Sequence, residues 1–356
     1  MTKTMYPAAS NYAATKADIW QGRIDAEDGE AGMRFHQKVT LLAEDQQLTN
    51  QAGVVLLGFA CDEGVKRNKG RVGAVQAPDL IRKALANTAW HHGTAERPAH
   101  LFDAGNIYCS NTDLASSQKQ LANHVEVALN KQNKVMVLGG GHEIAWGTFQ
   151  GLAQHLQCND VSTGMGKPKI GIINFDAHFD LRTYSTDDQQ YPTSSGTPFN
   201  QIAKHCQQLG WEFNYACLGV SRASNTQALF TLADQLNVHY REDHQLASYH
   251  LAERIEELTA FIDNVDYLYL TIDIDVFSAC SAPGVSAPAA RGVTYESVEA
   301  LLQPIFNAKS NARNTAGQAK LLIADLAEYN PNFDIDNQTA RLAARLTWDI
   351  TRAMFK

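Results

Sequence analysis

Six short runs of consecutive apolar residues recur along the chain: GVVLLGF (53–59), KVMVLGG (134–140), KIGIINF (169–175), YACLGV (215–220), YLYLTID (267–273) and KLLIAD (320–325). A strand that is apolar on both faces has both faces covered, so these runs predict strands of a buried parallel sheet. Between them, Asp79–Leu85, Gln118–Leu129 and Leu251–Ile262 carry apolar residues at helical spacing beneath polar outer faces. Strands alternating with helices predict an α/β fold, a central parallel sheet with helices on both faces. Two polar stretches rich in Gly or Asn, 158–168 and 307–318, lack any period and predict surface loops. The first fifteen residues are expected to be a mobile terminus. Residues 16–356 are expected to form one domain, because α/β sheets of this length often stay undivided.

Composition narrows the function more than the fold. The chain has 356 residues, 44% of them hydrophobic and 19% charged, which is ordinary for a folded protein with a large core. A net charge of −8 and the absence of a long Lys/Arg cluster argue against a nucleic-acid partner. The six cysteines are scattered without a C-x-x-C pair, as expected of reduced thiols in the cytoplasm. No segment is apolar for long enough to predict a signal peptide or a membrane span.

The chemistry gathers where three of the apolar runs end. His142 follows VMVLGGG, Asp176, His178 and Asp180 follow IGIINF in a D-x-H-x-D pattern, and Asp273 and Asp275 close YLYLTIDID. In an extended strand alternate side chains share a face, so both spacings would aim their ligands the same way. Four carboxylates brought together without a cation would repel one another and could not all stay ionised. A lone Asp or His at a strand end is usually just a polar terminus, but this recurrence on three strands is not explained that way. Imidazole and carboxylate without thiolate select Mn²⁺ before Zn²⁺, Co²⁺ or Fe²⁺. Two such ions about 3.5–4 Å apart are an arrangement for metal-assisted hydrolysis. The carboxyl edge of an open α/β sheet is also where ligand sites form.

GGGHEIAWG, FDAHFDLR, DIDVFSACSAPGVSAP and ADLAEYNP resemble, in order and spacing, the motifs of the arginase/agmatinase (ureohydrolase) family, from about residue 50 to the end. The resemblance implies a three-layer arginase-like fold, two Mn²⁺ ions per subunit, hydrolysis of guanidino or amidino C–N bonds, and a homo-oligomer, trimeric or hexameric. Carried over by position, it implies that His142 and Asp180 bind the first ion, that His178 and Asp275 bind the second, and that Asp176 and Asp273 bridge both. It implies that Glu328 contacts the planar cationic group of the substrate, and that Asp180 relays a proton to the leaving nitrogen. On burial statistics alone, Glu328 would be a solvated carboxylate.

Departures from the family pattern point to a branch. Arginase-like members carry a histidine-containing S-G-N-x-H-G segment and an Asn two residues past the D-x-H-x-D motif. This chain has Ser194-Ser195-Gly196-Thr197-Pro198 and Arg182 there. With WQGRID (20–25) and CDEGVKRNKGRVGA (61–74), these features are similar to the histidine-degrading branch of the family. That likeness implies a substrate of N-formimidoyl-L-glutamate, cleaved by water to L-glutamate and formamide.

Independently, an extended chain through Arg182 would project its guanidinium to the side of Asp180, where it could grip a substrate carboxylate bidentately. The alternative for Arg182 is an ion pair with a neighbouring acid such as Asp180. Arg67, Arg71 and Arg222 are weaker candidates for a second carboxylate. Gly139-Gly140-Gly141 reads as a tight turn beside the metal rather than a phosphate cradle, and Asn68-Lys69-Gly70 reads as another turn. Trp146, Trp211 and Tyr329 read as core or pocket wall. Two further readings stay open: a hydrolase of agmatine or another guanidino compound, and a silent relative serving as a binding or regulatory subunit.

Overall fold

The computed structural model describes residues 11–43, 52–92, 99–163, 167–185, 190–310 and 317–355. Its strands are β1 (Tyr12–Ala13), β2 (Val39–Leu41), β3 (Val54–Ala60), β4 (Leu101–Tyr108), β5 (Lys134–Gly139), β6 (Ile170–Phe175), β7 (Asn214–Val220), β8 (His239–Glu242), β9 (Tyr267–Asp273) and β10 (Leu321–Ala327). Its helices are α1 (Phe35–Lys38), α2 (Glu63–Arg67), α3 (Ala77–Ala86), α4 (Leu114–Asn130), α5 (Ile144–Thr163), α6 (Pro198–Leu209), α7 (Gln227–Gln235), α8 (Leu251–Asp263), α9 (Tyr295–Asn307) and α10 (Gln338–Met354). All six apolar runs are strands, and the three helical patterns are parts of α3, α4 and α8.

The strands make one sheet in the order β1-β4-β3-β5-β10-β9-β6-β7-β8, with β2 also pairing β4. Among the described strands only β1 runs antiparallel. The interior strands are buried on both faces, and alternate residues feed two cores. Met136 and Leu138 of β5 join Ile81, Leu258, Leu301 and Leu346 of α3, α8, α9 and α10. Val135 and Val137 join Leu121, Phe149, Ile202 and Phe230 of α4, α5, α6 and α7. Helices therefore cover both faces, giving the three layers expected.

Two differences from the sequence reading have physical causes, and a third segment lies partly outside the described residues. Residues 158–163, expected in a loop, continue α5, whose first turns are anchored by packing on the sheet; residues 164–166 lie outside the described residues. In the second expected loop, Lys309 and Ala319 bridge antiparallel, and 311–316 lie outside the described residues. Of the terminus expected to be mobile, residues 1–10 lie outside the described residues. Tyr12 and Ala13 pair with Ile107 and Asn106 of β4, and Thr15 donates to Asp103 at 3.0 Å. Among the described residues no helix is long and apolar enough to cross a membrane.

Candidate metal centre and adjoining cavity

The site is built by four strands that are neighbours in the sheet although far apart in sequence: β5, β10, β9 and β6. At their carboxyl ends stand His142, Glu328, Asp273 with Asp275, and Asp176 with His178 and Asp180. Two sets of donor atoms result, each lying within 4.8 Å of one another: His142, Asp176, Asp180 and Asp273, and then Asp176, His178 and Asp275. All six candidate ligands thus converge, with Asp176 common to both sets and Asp273 in the first alone.

The route to convergence differs from the extended-strand expectation. Strand β6 stops at Phe175, Asp180 has a φ of 49°, and Asp275 sits in a 3₁₀ turn, so turns rather than strand alternation aim most of these groups. The turns are held by side chain to backbone hydrogen bonds. Asp176 accepts from the His178 amide at 2.6 Å and from Asn174 Nδ2 at 2.9 Å, and Asp273 accepts from the Asp275 amide at 2.8 Å. Asn225 pins the 177–179 turn, accepting from the Phe179 amide at 3.1 Å and donating to the Ala177 carbonyl at 2.9 Å. No local pattern distinguishes that Asn from any other loop Asn, and sequence reasoning missed it. Gly140 is required by close approach: a Cβ there would lie 1.8 Å from the Cys61 carbonyl oxygen.

The electrostatics fit a bound cation. His142 Nε2 lies 3.0 Å from Thr271 Oγ1. That contact occupies Nε2 and leaves Nδ1 facing the carboxylates. Nδ1 lies 3.0–3.2 Å from oxygens of Asp180, Asp176 and Asp273, yet makes a hydrogen bond with none. One ring nitrogen among three carboxylate oxygens is a donor set that suits a cation.

The pKa directions agree. Burial drives Asp273 well above the usual carboxylate range, and Asp275 and Asp176 add to the rise. Asp180 is pushed up by burial and then by Asp176. For His142, burial favours the neutral ring, but the surrounding carboxylates outweigh it and raise the pKa. Burial would also raise Asp176, but the two imidazoles outweigh it and hold it down. The cluster as a whole calls for positive charge, and its nitrogen and oxygen donors suit divalent ions.

Glu328 is buried rather than solvated. Its backbone has a φ of 65°, its amide donates to the Gly140 carbonyl at 2.8 Å, and its Oε1 accepts from the His142 amide at 3.0 Å. Oε2 has no hydrogen-bond partner, and burial with the nearby Glu143 pushes the carboxyl well up. Glu143, which sequence reasoning passed over, is wholly buried and raised by that burial to about 7; its Oε1 accepts from the Gly64 amide at 2.8 Å.

A cavity of about 310 Å³ opens over the cluster, with His178, Asp180, Asp273, Asp275 and Glu328 on its floor. Its upper wall includes Arg182, Ser195, Asn68, Lys69 and Arg71. Arg182 makes no ion pair with Asp180 or with any other described residue. Its amide donates to the Gly196 carbonyl at 2.8 Å, and its side chain runs so close to Gly196 that a Cβ there would lie 2.7 Å from Arg182 Cδ. The two branch-specific segments part company. Residues 68–71 reach the cavity, whereas Trp20 and Asp25 of WQGRID are used in the scaffold, bonded to Asp103 and Arg34.

Fold and cluster together define an α/β protein with a ligand set for divalent cations at the carboxyl edge of its sheet. A model of the arginase family matches residues 52–352, and the chain belongs to that family. It is 55% identical over 340 residues to the formimidoylglutamase of Vibrio cholerae serotype O1, with 96% of each chain covered. It is 54% identical to that of Photobacterium profundum, with 94% of each covered. Among solved structures, formimidoylglutamase from Bacillus subtilis aligns with a TM-score of 0.69 at 23% identity, covering 86% of this chain and 88% of that one. Trypanosoma cruzi formiminoglutamase, solved with Mn²⁺, aligns at 0.70 and 20% identity, covering 87% and 96%.

Proposed function

We propose that this chain hydrolyses N-formimidoyl-L-glutamate to L-glutamate and formamide, with residues 16–356 acting as one catalytic domain that holds two Mn²⁺ ions. The observation that carries the reading is the polarity of the cavity. Its floor is a cluster of acids, and Arg182, without a carboxylate partner among the described residues, stands in its wall. A molecule with a cationic formimidoyl head and a dicarboxylate tail has the complementary polarity. Relatives more than 50% identical over nearly the whole chain bear the name of that activity.

His142, Asp180 and Asp273 would help hold one ion and His178 and Asp275 the other, with Asp176 available to both. Bound there, the ions would supply the positive charge that brings the pKa of water toward neutrality and polarises the carbon under attack. The chain's own groups do the rest. Glu328, with Oε1 tied to the His142 amide, has Oε2 free to accept hydrogen bonds from the planar cationic head. Of the clustered acids, Asp180 has the most accessible side chain, 12% exposed against 0–4% for Asp176, Asp273 and Asp275. It is therefore the acid best able to carry a proton from the attacking water to the departing glutamate nitrogen. Arg182 would grip a carboxylate of the tail and set the distance of the head from the floor.

The test is an assay of purified, Mn²⁺-loaded protein against formimidoylglutamate, arginine and agmatine, with metal content measured on the same sample. Formamide release from the first alone is expected. Turnover of agmatine or arginine instead would give the chain to a guanidino hydrolase. Sub-stoichiometric metal with no turnover of any of the three would make it a silent relative.

A further inference from the structure

We infer that Arg71 is a second carboxylate-binding residue, and that the cavity reads both carboxylates of its substrate, one with Arg182 and one with Arg71. The inference rests on the function proposed above. It begins from how the candidate arginines are neutralised. Arg67 donates to Glu63 at 3.0 Å, and Arg222 holds Glu242 through both Nε and Nη2. Their charge is spent within the chain, and neither lines the cavity over the cluster.

Arg71 differs on both counts. It lines that cavity and, among the described residues, has no carboxylate within ion-pair distance. Its guanidinium is nevertheless fixed: Nε donates to the Ser286 carbonyl at 2.9 Å and Nη2 to the Val285 carbonyl at 2.6 Å, and the plane lies 3.6 Å over the Phe333 ring. The backbone is held as well, by its own amide on Ser286 Oγ at 2.9 Å and by Asn330 Nδ2 on its carbonyl at 2.8 Å.

Carbonyls and a ring face orient a guanidinium without cancelling its charge, and among the described residues nothing accepts from Nη1. A cation immobilised before its partner arrives loses little rotamer entropy on binding, which is what a recognition residue needs. A purely structural arginine would ordinarily be closed by an acid, as Arg67 and Arg222 are. Lys69, held at a φ of 63° just past α2, adds positive charge to the same wall. Arg71 and Arg182 are fastened to different segments, Val285–Ser286 and Gly196, so two separate carboxylates can be engaged at once.

The test compares three substrates: N-formimidoyl-L-glutamate, N-formimidoylglutamine, whose side-chain carboxylate is an amide, and formimidoyl-γ-aminobutyrate, which lacks the α-carboxylate. Arg71→Met should lose roughly 10²-fold in kcat/KM on the parent, mainly through KM, as expected for a lost charged contact. It should lose less than about threefold on one of the two analogues, and Arg182→Gln should be indifferent to the other. Equal losses by Arg71→Met on all three, or none on any, would overturn the inference and leave Arg71 as a clamp on the Val285–Ser286 segment. If Arg71→Met fails to reach the wild-type melting midpoint, Arg71→Lys carries the same comparison with a smaller loss of about tenfold on the parent. Wild type inert on the parent would instead sink the proposed function and this inference with it. Normal wild-type turnover with an unselective Arg71 variant would sink the inference alone.

Discussion

Two clusters of buried charge in this molecule follow opposite rules. Around Arg82, which is wholly buried, everything closes on itself: Nε and Nη2 grip the two oxygens of Asp103 at 2.9 Å, Nη1 donates to Asn106 Oδ1 at 2.6 Å, and Nη2 also reaches the Gly105 carbonyl at 3.0 Å. Trp20 and Thr15 supply two more donors to Asp103, at 2.7 and 3.0 Å. At the carboxyl edge, four carboxylates meet two imidazoles, and among the described residues no cationic side chain lies between them and His142 Nδ1 and Glu328 Oε2 have no hydrogen-bond partners. Buried charge that carries its own counter-ion and donors holds structure together. Buried like charge that does not is a site waiting for something from outside.

The largest effect expected from breaking this contrast is at the site. Asp176→Ala removes the donor common to both sets, so activity should fall by about 10³-fold or more and metal content should drop below two ions per chain. The denaturation midpoint of the metal-free protein should fall as well, because Asp176 is the carboxylate that, despite its burial, the two imidazoles hold ionised and that the His178 amide and Asn174 bond. Full activity in this variant would defeat the two-ion reading.

The scaffold cluster should respond in stability alone. Arg82→Met leaves Asp103 buried and unpaired, at a cost of about 3–5 kcal/mol in urea unfolding with metal stoichiometry unchanged. Adding Asp103→Leu should recover part of that loss. A single variant as stable as wild type would remove the distinction between the clusters.

Arg182→Gln should keep both folding and metal while kcat/KM for formimidoylglutamate falls roughly 10²-fold, with only partial recovery in Arg182→Lys because a point charge cannot reproduce the planar fork. Steady-state kinetics at matched metal content decide this. An unaffected Gln variant would leave Arg182 without a role in recognition.

The smallest effect concerns acid. His92, packed among Phe35, Trp90, Trp348 and Phe355, is lowered to about 4 by burial. Its folded pKa lies below the unfolded value of about 6.5, so between these pH values the unfolded chain binds a proton that the folded one refuses. Its contribution is complete above pH 6.5 and is lost as pH falls toward 4. His92→Phe should remove up to one proton, about 1.4 kcal/mol per pH unit, from the slope of stability against pH in that window. Calorimetry across pH 4–7 reads the slope, and an unchanged slope would reassign the acid sensitivity to other groups.

The strands and the candidate ligands were legible in the chain because their causes are local. A strand covered on both faces must be apolar throughout, and acids crowded onto one sheet edge announce themselves by type and spacing. Strand β4 was not legible: LFDAGNIY carries Asp103 and Asn106 at its centre, and only the arrival of Arg82 from α3 makes those polar residues tolerable in a buried strand. The helical continuation through 158–163 was hidden in the same way, since the packing that anchors α5 lies earlier in the helix and across the sheet. Nor could spacing reveal that Asp180 turns through a left-handed φ, or that β9 and β10 come to lie between β5 and β6. Among the four arginines the chain offers identical chemistry. Which are neutralised depends on where Glu63, Glu242 and the Val285–Ser286 carbonyls end up in space, and a guanidinium is free or spent according to its neighbours in three dimensions, not its neighbours in sequence.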